Sequence, residues 1–159
     1  MFVLDSSPII YLAKAGLLEK LQLLGEFFLA KSVFLETVEK YSDPEEAGYI
    51  RKYVEKSIKS PSADYFSVCQ GLSKADSESI SLAKELSCAV IMDEKKGREI
   101  ASLNGIENHG TVYLLLQMLK KNLITKEEFK TSLLKMVSEG FYLSAKTYEE
   151  IMNKLNLPQ

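Results

Sequence analysis

Histidine is almost missing from this chain: His109 is the only one in 159 residues. A two-histidine metal site and an HExxH helix are thereby excluded. No GxSxG elbow is present to pair with His109 in a serine triad. No GxxxxGK[ST] occurs, so a P-loop is excluded. The two cysteines, Cys69 and Cys88, form no CxxC. That speaks against a zinc ribbon or a thioredoxin-type redox site. They read as buried free thiols in a reducing cytoplasm. No apolar run approaches the ~18 residues of a membrane span. Asp5 interrupts the first apolar stretch and no cation precedes it, so neither a signal peptide nor a membrane partner is expected. Neither sign of charge dominates: 20 Lys and Arg against 22 Asp and Glu leave a net charge of −2. A polybasic binder working by bulk charge is therefore not expected, although a local basic groove is still open. An enzyme of this composition must work through carboxylates.

What the chain does have is core material, with 46% hydrophobic residues. A domain of this length buries about 70% of the surface its unfolded chain exposes and needs no disulfide or metal to fold. We expect one domain over 1–159, its core spanning about 1–121 and C-terminal helices about 122–159. Short apolar runs at Phe2–Leu4, Phe27–Ala30, Tyr65–Cys69 and Ala89–Met92 read as strands. Between them lie helical signals. Ser7-Pro8 looks like a cap with proline at the first helical position, followed by leucines at helical spacing up to Gly25. Ser32–Tyr41 carries an apolar stripe. Asp43-Pro44-Glu45-Glu46 and Thr125–Glu128 have the form of capping boxes. Helices are also expected over Asp76–Leu86, Glu94–Leu103, Gly110–Lys121, Thr125–Val137 and Ser144–Asn156. Strands alternating with helices imply an α/β fold, a parallel sheet sandwiched by helices.

Asp5 and Asp93 each follow directly on a strand-like run. In open parallel sheets ligands bind beyond the carboxyl ends of the strands, so the two acids have equivalent places at one edge. Each also has a local explanation, Asp5 as an Asx-turn and Asp93 as a helix cap. Asp76 stands at the start of the apolar stripe Asp76, Ile80, Ala83. It also completes a Ser73-x-x-Asp76 cap. Glu78 lies on the opposite, polar side and is the poorer candidate. Glu36 lies off its apolar stripe and is spaced to pair with Lys40 at i+4.

With these residues in place, the chain resembles the PIN domain (PilT N-terminus) family. Val3-Leu4-Asp5-Ser6-Ser7-Pro8 resembles the family's opening strand, acid and Ser/Thr turn. Ser32–Val38 resembles its second acidic helix. Leu72–Ala83 is similar to LxxGExxAIxLA, with Ala75 for Gly and Asp76 for Glu. Val90-Ile91-Met92-Asp93-Glu94-Lys95-Lys96-Gly97-Arg98 is similar to LIDDxxxR, and Gly110-Thr111 matches a family turn. The likeness runs over nearly the first 120 residues.

The resemblance implies a metal-dependent ribonuclease, often the toxin half (VapC-like) of a type II toxin–antitoxin pair. It carries Asp5, Glu36, Asp76 and Asp93 into one catalytic and metal-binding cluster, with Glu94 as the alternative to Asp93. Mg²⁺ or Mn²⁺ suits such a set, because hard cations take oxygen ligands. Ser7 is expected to orient Asp5 by a hydrogen bond. Lys52, Lys56 and Lys59, on one helical face, and Lys95, Lys96 and Arg98, flanking Asp93, are candidate RNA phosphate contacts. Tyr49 and Tyr53 are either base platforms or core. The stripe from Tyr113 to Leu119 suggests a homodimer contact or an antitoxin groove beyond what the core needs. The expected activity is cytoplasmic endoribonuclease cleavage of RNA by metal-activated water. The competing reading is a non-catalytic nucleic-acid-binding or regulatory module on the same fold.

Overall fold

A computed structural model describes residues 1–156. Three apolar triplets make the centre of a parallel sheet: β1 (Phe2–Leu4), β2 (Phe27–Leu29) and β3 (Ala89–Ile91). The pair Asn108–His109 adds β4, giving the order β2-β1-β3-β4. Val3 registers with Phe28 on one side and Val90 on the other. Each crossover carries helix: α1 (Ser6–Lys14), α2 (Leu21–Leu24), α3 (Lys31–Phe34), α4 (Pro44–Val54), α5 (Lys74–Leu86) and α6 (Lys95–Leu103). Three more, α7 (Thr111–Lys120), α8 (Lys126–Ser138) and α9 (Ala145–Asn156), follow β4.

Side chains alternate across the pleat, so consecutive strand residues serve different cores. Leu4, Leu29 and Ile91 enter a large cluster with residues of α1, α4, α7, α8 and α9. Val3, Val90 and Met92 enter a smaller one with Ile80 and Ala83 of α5 and Ala101 of α6. This is the expected α/β sandwich. Among the described residues, no helix is long and apolar enough to cross a membrane.

Several elements differ from the sequence expectation. Tyr65–Cys69 is a string of turns. Asp64 ties its start to α5, accepting from the Phe66 amide and from the hydroxyls of Ser77 and Ser81 on α5. The fourth strand is β4 instead, two residues too polar to read as one. The leucine-rich stretch after Ser7 is not continuous helix: Gly16, at φ 69°, turns the chain between α1 and a short 3₁₀ turn at Leu18–Lys20. The segment from Ser32 widens after α3 into a π-helical turn, Leu35–Glu39. Thr125 and Glu128 form their reciprocal capping box. Asp43 caps the Glu45 and Glu46 amides, while Glu46 pairs with Lys14 rather than closing the box. Cys69 and Cys88 are free thiols but only half-buried. Along α7, Leu114, Met118 and Leu119 are buried, with Tyr113 and Leu116 packed partly against the same cluster.

Candidate functional site

The carboxyl edge of the sheet is where side chains stop being needed for the core. The Asp5 amide bonds the Ile91 carbonyl at 3.0 Å, which extends β1 by one residue beside β3. This leaves the Asp5 carboxylate buried, at 4% exposure, beneath the start of α1. It does not cap α1. Ser79 of α5 donates to it at 3.3 Å. Burial first, and then the nearby charge of Asp76, push its carboxyl up to about 8. Glu36 adds to this, while the Ser6 amide and the Ser79 hydroxyl oppose it. Among the described residues, no cation pairs with Asp5.

Asp76 and Glu36 reach this point from two other elements. Asp76 is the N3 residue of α5 and closes a capping box, accepting from the Ser73 amide at 2.9 Å. So the cap explanation holds for Asp76, and the same residue still lies close enough to act on Asp5. Glu36 sits in the π-helical turn, a geometry that often marks functional sites. Its partner is the Ser6 hydroxyl, at 2.8 Å, rather than Lys40. Glu78, the poorer acid, accepts from the Ser32 hydroxyl at 2.6 Å and holds the start of the segment that bears Glu36.

Asp93 follows β3 and does not cap α6; exposed Glu94 does that, accepting from the Lys96 amide. Asp93 turns instead to Thr111, whose amide and hydroxyl donate to its two oxygens at 2.8 and 2.5 Å. Gly110 makes room: a Cβ there would stand 2.9 Å from Asp93 Oδ1. Burial raises the Asp93 carboxyl, and the Thr111 bonds and the Arg98 charge pull the other way.

The hydroxyl on Asp5 is that of Ser79, not of Ser7, which lines a groove beside Asp93. Lys52, Lys56 and Lys59 do not share a helical face: α4 ends at Val54, and the Lys59 amide bonds Leu29 O, extended beside β2. Lys95 pairs with Glu99, and the Lys96 side chain lies over Gly71. Arg98 donates to Asn108. Tyr49 and Tyr53 meet edge to face against the core. Ser6, Ser79 and Thr111 were the missed residues. A serine directly after Asp5, a serine three residues after Asp76, and the Gly110-Thr111 pair were the available signals.

Two grooves are lined by the neighbouring acids. One, of about 530 Å³, is lined by Ser7, Asp93, Glu94, Arg98 and aromatic residues. The other, of about 420 Å³, holds Glu36 and Glu78 among Lys31, Lys40 and Lys74. Neither Lys31 nor Lys40 makes an ion pair among the described residues. The donor set is all oxygen and the buried acid lacks a counter-charge, which suits a hard divalent cation in chemistry. As they stand, the carboxylates are each occupied by protein donors. Among the described residues, no three His, Cys, Asp or Glu side chains form a ready-made metal cage.

No curated protein and no solved structure matches the chain significantly. A family model, DUF3368, described as a PIN domain, matches residues 1–157. Nearly the whole chain is covered, including the helices after β4. This chain belongs to the PIN-domain family, and its fold is of the nuclease type.

Proposed function

We propose that this protein is a metal-dependent endoribonuclease of the toxin-like branch, acting at Asp5, Glu36, Asp76 and Asp93. The observation that carries the reading is Asp5: a carboxylate at 4% exposure, with Asp76 and Glu36 acting on it and no cation beside it among the described residues. A fold that keeps an uncompensated buried acid has reason to do so at a functional site. Asp5, Asp76, Glu36 and Asp93, or Glu94 in place of the last, would hold Mg²⁺ or Mn²⁺. When bound, such a cation supplies Lewis-acid stabilisation of the charge that develops on the phosphate. Ser79 orients Asp5, and the Ser6 hydroxyl orients Glu36. Thr111 fixes Asp93. Lys31, Lys40 and Lys74 on one side and Arg98 on the other supply cations for the RNA backbone, as contacts to phosphate require. The toxin-like assignment brings with it a cytoplasmic setting and an antitoxin partner.

Cleavage of an unstructured RNA by purified protein, followed on a gel, tests this. Cleavage should need Mg²⁺ or Mn²⁺, vanish with EDTA and fall at least about 100-fold in Asp5→Asn, an amount typical of losing a catalytic electrostatic group. Mn²⁺ binding by calorimetry should weaken in the same variant. Undiminished cleavage in EDTA, or by Asp5→Asn, would overturn the assignment. Mn²⁺-independent RNA binding without cleavage would instead favour the non-catalytic module.

A further inference from the structure

Beside Asp93 the groove has a wall that the acid cluster does not use. The chain leaves α8 through Gly140, at φ 98°, and the residues up to Ser144 line the same groove as Asp93 before α9 begins. Phe141 is anchored, buried at 7% and edge to face with Tyr11 at 5.0 Å. Tyr142, its neighbour, is 87% exposed yet lines the same groove. An aromatic ring so exposed forgoes most of the free energy its burial would release. Tyr142 follows directly on the anchored Phe141, and it lines a groove that also holds Tyr113, Arg98 and Asp93. Tyr113 is itself braced by stacking on His109, with ring centroids 3.8 Å apart and planes within 5°. The Ser144 and Thr147 hydroxyls, bonded to each other at 2.8 Å, complete the far end.

We propose that this groove is a nucleobase subsite, in which Tyr142 stacks on an unpaired base of the RNA next to the phosphate at Asp93. The inference rests on the ribonuclease reading and adds a requirement to it, that the substrate be unpaired at this position. The occupant follows from the chemistry of the walls. A flat aromatic platform recognises a base face without regard to sequence. Arg98 offers a cation to the adjoining phosphate, and the Ser144 and Thr147 hydroxyls can meet a base edge. A base held in a duplex is stacked on its neighbours and cannot enter, whereas loops and single strands present theirs.

The test measures binding apart from cleavage. Fluorescence anisotropy is read with a labelled single-stranded RNA 12-mer and millimolar Mg²⁺, in an Asp5→Asn background that prevents turnover. Adding Tyr142→Ala should weaken binding about ten-fold, the scale of one lost base–aromatic stack. Tyr142→Phe should bind like its parent. Leu23→Ala, equally a loss of an exposed apolar side chain (62% exposed) but ahead of β2 at the opposite sheet edge, should also bind like its parent. A fully paired duplex of the same length should not distinguish Tyr142→Ala from its parent. Far-UV circular dichroism checks that every variant is folded. Equal single-strand affinities for parent and Tyr142→Ala overturn the subsite while leaving the nuclease reading intact. Absence of both single-strand binding and wild-type cleavage overturns the two together.

Discussion

Asp5 is the residue at which stability and function pull apart. Its carboxyl stands at about 8 in the folded protein against an ordinary 3.8. Between these values the folded state holds a proton that the unfolded chain has released. Stability of the metal-free protein therefore falls as pH rises through that window, and the loss is complete above it. Asp5→Asn removes this slope. In EDTA the variant should melt above wild type at pH 9 and lose most of that advantage near pH 4. A gain of only 1 kcal/mol moves Tm by about 2–4 °C at this chain length, so thermal melts resolve it. Equal pH slopes in the two proteins would show that Asp5 does not titrate in the window. The effect should be smaller at Asp93, whose two oxygens already have the Thr111 donors and the Arg98 charge for company. Asp5 and Asp93 were legible in the sequence because a strand end followed by an acid is a local pattern. Glu36 was legible only through the family resemblance, because its place depends on a π-helical turn and on Ser6, thirty residues away. Ser79 was hidden by its chemistry: a buried serine at the sheet edge has the same sequence appearance as a solvated one.

At the scale of elements, the acids are held in place by polar ties between segments rather than by apolar packing alone. Glu78 joins α5 to the start of α3 through the Ser32 hydroxyl and, at 3.4 Å, the Ser32 amide. One helix thus carries Asp76 and Ser79 and also braces the turn bearing Glu36. Glu78→Gln keeps an acceptor for Ser32 and should leave RNA cleavage largely intact. Glu78→Ala leaves Ser32 without its partner. Loss of a charge-assisted hydrogen bond costs about 1.5–3 kcal/mol, visible as a lower urea midpoint. Under the proposed function, cleavage should drop with it, because Glu36 loses its support. If Gln and Ala behaved alike in both assays, Glu78 would be a surface acid. The periodicity that flagged Asp76 placed Glu78 on the solvent side. That holds for a helix considered by itself and fails here because α3 packs against α5. The same limit explains Tyr65–Cys69. A short apolar run suggested a strand, and only the buried serines of α5, matched to Asp64, reveal why the segment coils into turns.

For the molecule as a whole, the helices after β4 decide whether residues 1–121 can stand alone. The sequence likeness runs over nearly the first 120 residues, which suggested a core over about 1–121. In the structure, Phe129, Leu133 and Met136 of α8 are fully buried in the same cluster as Leu4, Leu12 and Leu29. Phe141, Ile151 and Leu155 extend that cluster. Polar ties cross the same boundary: Lys14 of α1 pairs with Glu139 at 3.1 Å, and the Lys20 ammonium donates to Leu123 O. Periodicity marked these stretches as helices, but it carried no information about which surface they cover. Truncating one buried Phe to Ala costs about 3–5 kcal/mol, and a buried Leu or Met about 2–5. A domain of this kind has only about 5–15 kcal/mol in total. Removing 122–159 deletes several such side chains at once and uncovers their partners on α1 and α7. The loss exceeds the available stability. A chain ending at Lys121 should therefore show no cooperative thermal transition and no near-UV tyrosine signal, while Phe129→Ala in the full chain should still melt cooperatively at a markedly lower Tm. Calorimetry on the two proteins checks this directly. A cooperative transition in the truncated chain near the wild-type Tm would show that the α8–α9 layer is an accessory, and would separate the acid site from the Tyr142 groove, which the truncation removes.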